Sequence, residues 1–185
     1  MLLQVINPNT TASMTDLIGA SARAAAGPGT EVVAVHPRMG PASIESHYDE
    51  ALAVPGLLAQ IAAGETAGAA GHVVACFGDP GLDAARELAG GPVVGIAEAA
   101  MRTATYLGRS FGVVTTLQRT TGRAWELATR YGVREHCRAV RAVEIPVLSL
   151  ESDPAARARI AAECADMVAA EGVDAIVLGL SLIHI

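Results

Sequence analysis

Aromatic residues make up only 3% of this 185-residue chain, so its core cannot be built on stacked rings. Hydrophobic residues still reach 51%. Ala, Val, Leu and Ile must therefore fill the interior, which suits helices packed closely on a parallel sheet. There is no basic run, and the net charge is −6, which argues against a nucleic-acid partner. No apolar stretch reaches the roughly 18 residues of a membrane-spanning helix, so no membrane partner is expected. The opening MLLQVINPNT lacks a basic n-region and a long apolar h-region; it reads as a strand, not a signal peptide. Three cysteines without paired spacing point to thiols in a reducing compartment, the cytoplasm. No zinc-ligand cluster, GxGxxG or Walker A loop is present, so neither a metal nor a nucleotide cofactor has support. The length allows one domain or two small lobes. The expected partner is a small-molecule substrate, and a homo-oligomer is compatible with all of this.

What is present is best read from Gly71 to Leu82, GHVVACFGDPGL. Its β-branched run over His72-Val73-Val74-Ala75 predicts a buried parallel strand ending on Cys76. Phe77 and Gly78 make a tight exit. Asp79-Pro80 predicts a helix start, with Asp at the N-cap and Pro at the first helical position. Cys76 would then sit at the carboxyl edge of a strand, where open α/β sheets bind ligands. A helix N-terminus beside it would favour thiolate over thiol. The plainer reading is a buried structural cysteine, since free cysteine is among the most buried residue types.

The chain in order alternates strands and helices. Leu2 to Ile6 is a strand, followed by the turn cluster Asn7-Pro8-Asn9-Thr10-Thr11. A helix follows to about Ala26; Ser13 and Asp16 have capping-box spacing, with Thr10 and Thr11 as alternative caps. Thr30 to His36 is a strand. Pro37 to His47 is a polar loop, either a binding loop or an ordinary surface connection. Tyr48 to Ala63 is helical, and Pro55 should kink or split it. After the Cys76 strand come a helix to about Ala89, a strand over Pro92 to Ile96, and a helix from Glu98 to Leu107. At Ser110 the pattern restarts: strand to Val114, Thr115-Thr116, a helix from about Arg119 to Tyr131, and a strand over Ala139 to Ile145. Asp153-Pro154 signals a helix to about Glu171, and VDAIVL over Val173 to Leu178 a final strand.

This repetition predicts an α/β fold of two pseudo-symmetric lobes, each a mainly parallel sheet flanked by helices. The first would cover 1–108 with Cys76, the second 109–185. The second lobe's counterpart of Cys76 falls at about Leu180 or Ser181. That lobe stops roughly one or more βα units short of the first, which predicts a longer natural chain whose last residues differ from those here.

INPNT at 6–10, GPASIES at 40–46, VVACFGDPGL at 73–82, GVVTT at 112–116 and IVLG at 176–179 together resemble the aspartate/glutamate/hydantoin racemase superfamily, nearest its hydantoin and allantoin racemase branch. The resemblance implies two α/β lobes with the site in the cleft between them. It also implies cofactor-free racemisation by two cysteines on opposite faces of the substrate carbon. One thiolate removes a proton and the opposite thiol returns one. In a hydantoin the reacting C–H adjoins a ring carbonyl, so enolate charge develops and needs donors aimed at that oxygen. Carried over residue by residue, Cys76 matches the first-lobe cysteine. Asn7 and Asn9 match the first turn, and Thr115 and Thr116 the second-lobe turn that cradles substrate. Ser43, Ile44 and Glu45 match the loop bordering the cleft. Phe77 and Gly78 adjoin Cys76 as further substrate contacts.

One departure stands out. After IVLG the family carries its second cysteine; this chain has Leu180 and then Ser181. Leucine transfers no proton, and an unassisted serine hydroxyl is far too weak an acid. A single-cysteine decarboxylase, a maleate isomerase, an amino-acid racemase of the same superfamily and a catalytically inactive ligand-binding homologue are the competing readings. In the arylmalonate decarboxylases the lone cysteine belongs to the second lobe, which argues against them here. The dicarboxylate enzymes want cationic or amide anchors that this sequence does not place. Of the remaining candidates, Cys164 has core spacing within a helix, Cys137 reads as a surface or strand-entry thiol, His36 and His47 flank the loop, and Trp125 reads as helix packing.

Overall fold

The computed structural model describes residues 1–150 and 152–179. Leu180, the expected position of the second cysteine, and Ser181 lie outside them. The chain forms two compact units, one over residues 1–96 and one that begins at Ala97.

The first unit holds β1 (Leu2–Ile6), α1 (Ala12–Ala25), β2 (Glu31–Val35), α2 (His47–Thr66), β3 (Gly71–Val74), α3 (Leu82–Leu88) and β4 (Val93–Gly95). The strands form one parallel sheet in the order β2-β1-β3-β4. Successive side chains of a strand point to opposite faces, and β1 shows the consequence. Val5 packs with Ile18 and Ala75, and with Ala22 of α1. Its neighbour Ile6 packs with Leu57 and Ile61 of α2, Leu82 and Ala85 of α3, Val74 and Val93. One helix thus covers one face and two cover the other, as a doubly wound sheet requires.

The second unit continues with α4 (Ile96–Leu107), β5 (Phe111–Thr115), α5 (Gln118–Arg130), β6 (Cys137–Ala142), α6 (Ala156–Glu171) and β7 (Ala175–Gly179), with a short 3₁₀ turn at Val147–Ser149. Its sheet is parallel in the order β6-β5-β7. That order repeats β2-β1-β3 strand for strand, so the internal repeat expected from the sequence is present in the topology.

Local punctuation was less reliable than the pattern. Ser13 and Asp16 do not cap α1: the N-cap is Thr11, and Ser13 lies inside the helix. Pro55 does not split α2, which is one helix with Pro55 in its interior. The strand expected over Ala139 to Ile145 starts two residues earlier and ends at Ala142. Cys137 is strand-entry but not surface; it is buried. Cys164 is half-buried in α6, and the half-buried Trp125 of α5 carries the Arg134 guanidinium 4.0 Å above its ring.

Candidate active site

Chain direction makes the first crevice. From β1 the chain passes to β2 on one side, while β3 lies on the other. Strand order therefore reverses between β1 and β3, and the ligand crevice of such sheets opens at the carboxyl ends on either side of that reversal. Asn7 to Thr11 leave β1 there, and Ala75 to Gly81 leave β3 there. The two exits are joined: the Ala75 N–H donates to the Ile6 carbonyl at 2.8 Å.

Cys76 is half-buried and lies two residues beyond the end of β3. It opens a tight turn in which the Asp79 N–H donates to the Cys76 carbonyl at 3.0 Å. The expected helix start at Asp79-Pro80 is not found. Asp79 takes φ +44°, one of the left-handed conformations that Asp tolerates better than most residues. Its carboxylate is buried against Gly95, where a side chain would have no room. The N-cap is Gly81 in the left-handed region, and α3 has only seven residues. The helix dipole therefore lends Cys76 much less than the sequence suggested, because it decays within the first turn. Phe77 is buried and Gly78 half-buried in the same turn. A Cβ on Gly78 would lie 2.5 Å from Glu50 Oε1 and 3.9 Å from Cys76 Sγ, so a side chain here would have to push the Glu50 carboxylate aside.

The β1 exit is a closed polar knot. Asn7 Nδ2 donates to Asn9 Oδ1 at 2.8 Å and to Thr15 Oγ1 at 3.0 Å, and Asn7 Oδ1 accepts from the Asn9 N–H at 3.2 Å. Asn9 Oδ1 also accepts from the Thr11 N–H at 2.9 Å. Asn7 is thus occupied in holding the turn. Asn9 differs: its Nδ2 faces Met14 Sδ at 3.5 Å, and a thioether is a weak acceptor. Asn9 keeps donor capacity, and Asn7 positions it.

The loop before α2 is anchored at both ends. The Pro41 carbonyl accepts from the Thr10 N–H at 3.0 Å, and the Ala42 carbonyl accepts from Thr11 Oγ1 at 2.7 Å. At the other end Ser46 caps α2: Ser46 Oγ accepts from the Asp49 N–H at 3.2 Å, while Asp49 Oδ2 accepts from Ser46 Oγ at 2.7 Å and from the Glu45 N–H at 3.1 Å. Ser43, Ile44 and Glu45 lie half-buried between these anchors.

In the second unit Thr115 and Thr116 are both buried at the end of β5, but their hydroxyls differ. Thr115 Oγ1 shares a hydrogen bond of 3.0 Å with Thr120 Oγ1 and reaches the Gly179 carbonyl at 3.4 Å. The Thr116 hydroxyl makes no hydrogen bond among the described residues, although its carbonyl accepts from the Ile145 N–H at 3.1 Å.

The other thiols are set apart by their surroundings. Burial pushes the Cys137 thiol up to about 11, against the opposing pull of Arg134. Burial also raises Cys164, helped by the neighbouring Glu163. Both are poor proton-transfer groups near neutral pH. Sequence reasoning overlooked Glu50 altogether. Its signal was present: a Ser46-x-x-Asp49 cap fixes the start of α2, and Glu50 is the next acidic residue on that first turn.

Two parallel α/β units, with a half-exposed thiol beside an amide-rich turn at the strand exits of the first, define the class: α/β enzymes that work at a sheet's carboxyl edge. Comparison with known proteins is specific. Residues 3–179 match the family model for Asp/Glu/Hydantoin racemase, and the chain belongs to that family. It is 48% identical over 180 residues to the hydantoin racemase of Rhizobium meliloti, covering 97% of this chain and 75% of that one. The solved allantoin racemase from Klebsiella pneumoniae superposes with a TM-score of 0.97 at 52% identity, over 99% of this chain and 75% of that one. The allantoin racemase from Pseudomonas fluorescens does so at 0.93 and 34% identity, over 99% and 78%.

Proposed function

We propose that this chain transfers protons at the stereogenic carbon of 5-substituted hydantoins or allantoin, with Cys76 the acid–base group on one face and no cofactor. The observation that carries this reading is the position of Cys76, half-exposed at the β1/β3 reversal of a chain about half identical to a hydantoin racemase and an allantoin racemase. The C–H bond beside the ring carbonyl breaks, its proton passes to Cys76 Sγ, and charge develops on the carbonyl oxygen. The Asn9 amide, at the β1 exit of the same unit, is a donor suited to that oxygen, and Thr116 keeps the substrate-binding role that the family resemblance implies. For racemisation the opposite face needs its own proton donor, and position 180 carries Leu. The proposed reaction is racemisation, and a sequence without the second thiol is expected to be impaired in it.

The test is incubation of one hydantoin enantiomer in D₂O, following deuterium at the reacting carbon and optical rotation together. Incorporation above the spontaneous rate, lost in Cys76→Ala, supports the reading. Inversion would mean that another acid serves the second face. Specific binding with no exchange would instead favour a ligand-binding homologue, the reading that Leu180 supports.

A further inference from the structure

We infer that Thr11 is a positioning residue for the Cys76 site: its N–H fixes the Asn9 carboxamide, and its hydroxyl holds the loop before α2 against the β1 exit. This deepens the proposed reaction and rests on it for the substrate, but not for the hold on the loop. Thr11 is the N-cap residue of α1, yet its side chain makes no cap bond. A threonine at that place ordinarily accepts from an N–H of the helix's first turn. Here Thr11 Oγ1 donates to the Ala42 carbonyl at 2.7 Å instead. Its backbone groups serve the β1 exit. The Thr11 N–H donates to Asn9 Oδ1 at 2.9 Å. The Thr11 carbonyl accepts from Asn7 Nδ2 at 3.3 Å and from Thr15 Oγ1 at 3.1 Å. One residue is therefore bonded to both the turn and the loop.

The middle of the loop depends on that link. Its entry packs on α2, where a Cβ on Gly56 would lie 2.7 Å from Pro37 Cβ. Its exit is fixed by the Ser46 cap. Between them, over Arg38 to Ile44, every hydrogen bond among the described residues comes from Thr10 or Thr11. Thr10 gives its N–H and its hydroxyl to the Pro41 carbonyl, at 3.0 and 3.3 Å. The acceptors are backbone carbonyls, so the path of the loop is what is held. Ser43, Ile44 and Glu45, which the family resemblance sets beside the substrate, follow directly on the last of them. The same residue turns the Asn9 carboxamide: with Oδ1 accepting from Thr11, Nδ2 is the end left to donate.

The test is trypsin cleavage after the exposed Arg38, run beside the exchange assay on the wild type, Thr11→Val, Thr11→Ser and Thr11→Asp. Valine keeps the shape and loses the donor; serine keeps the donor. Aspartate caps a helix well but, once ionised, donates nothing. Cleavage follows the population of detached loop when reclosing is fast. It should quicken about two- to tenfold in Thr11→Val, the scale of one net hydrogen bond. It should quicken likewise in Thr11→Asp, whose melting temperature should not fall, and stay near the wild type in Thr11→Ser. KM for the hydantoin should rise by a similar factor in Thr11→Val, with a smaller change in kcat, and Thr11→Ser should restore it. Unchanged cleavage in Thr11→Val overturns the hold on the loop whether or not exchange is seen. Faster cleavage in Thr11→Val that Thr11→Asp corrects would make Thr11 a helix cap alone, which also overturns it. Faster cleavage in both with an unchanged KM overturns the positioning role. Absence of exchange in the wild type counts against the proposed reaction alone, and hydantoin binding by calorimetry then replaces KM as the readout.

Discussion

His72 Nδ1 lies 2.8 Å from Gln4 Oε1, across the register pair that joins β3 to β1. Gln4 is held in that orientation because its Nε2 donates to the Gln60 carbonyl at 3.0 Å. On the other side of the ring His72 Nε2 lies 2.7 Å from Glu65 Oε1. Both ring nitrogens of a buried imidazole therefore face side-chain oxygens. Glu65 also accepts from the Gly90 N–H at 3.0 Å, so the network ties β1, α2, β3 and the segment before β4 together.

The first prediction concerns acid stability. The hydrogen bond from His72, then that from the Gly90 N–H, hold the Glu65 carboxyl below its ordinary value of 4.5. A carboxyl whose folded value is depressed binds its proton more readily when unfolded. Its contribution is present above 4.5 and is lost as pH falls through the folded value. Asp174 behaves alike, held down by the N–H groups of Arg109 and Ser110. Thermal melts of the wild type should fall as the pH drops below about 4.5, and Glu65→Gln should flatten that dependence. An equally steep curve for the variant would remove Glu65 from the account.

Gly64 of α2 supplies the second. A Cβ there would collide with the Gln4 carboxamide, 2.7 Å from its Cδ and 2.9 Å from its Nε2. Gly→Ala in a helix interior normally gains about 1 kcal/mol, but overpacking a core costs about 1–3 kcal/mol, and here it also breaks buried hydrogen bonds. Gly64→Ala should lower the denaturant midpoint despite its better helix propensity. A raised midpoint would mean that Gln4 swings aside without cost.

Thiol selectivity follows from burial. At pH 8 a thiol at about 11 is ionised to roughly one part in a thousand, and Cys137 is also enclosed. Brief iodoacetamide treatment followed by peptide mass spectrometry should find the label on Cys76 well ahead of Cys137. Comparable labelling of the two would show that the second unit opens readily around β6.

The paired turns separate structure from chemistry. Asn7→Ala removes the donor to Asn9 and Thr15 and should cost about 1–3 kcal/mol of stability. Thr116→Val removes a hydroxyl with no bonded partner among the described residues, so stability should hardly change. The substrate-binding role proposed for Thr116 requires exchange to fall in that variant. A stable Asn7→Ala, or a fully active Thr116→Val, would each contradict the division of roles.

The sequence determined the alternation of elements, and with it the fold. Apolar β-branched runs separated by helical spacing left no other way to bury Val5, Ile6, Val74 and Val113, so the strand–helix order was legible throughout. Cys76 was legible as a candidate for the same reason, since it follows a strand that the pattern marks, whereas Asn9 and Thr116 were singled out only through the family resemblance. Where the helix beyond Cys76 begins was not legible. Asp79-Pro80 has the local chemistry of a helix start, yet packing of the Asp79 carboxylate on Gly95 of β4 took that residue into a left-handed conformation instead. Only the tertiary structure decided which of two like residues is occupied and which has capacity left, Asn7 against Asn9 and Thr115 against Thr116. Only it brought Glu50 over Gly78, from 28 positions away in the chain. Periodicity records which face of an element is apolar; it carries no record of which polar atoms meet, because those contacts form between elements that the chain brings together only when the sheet is assembled.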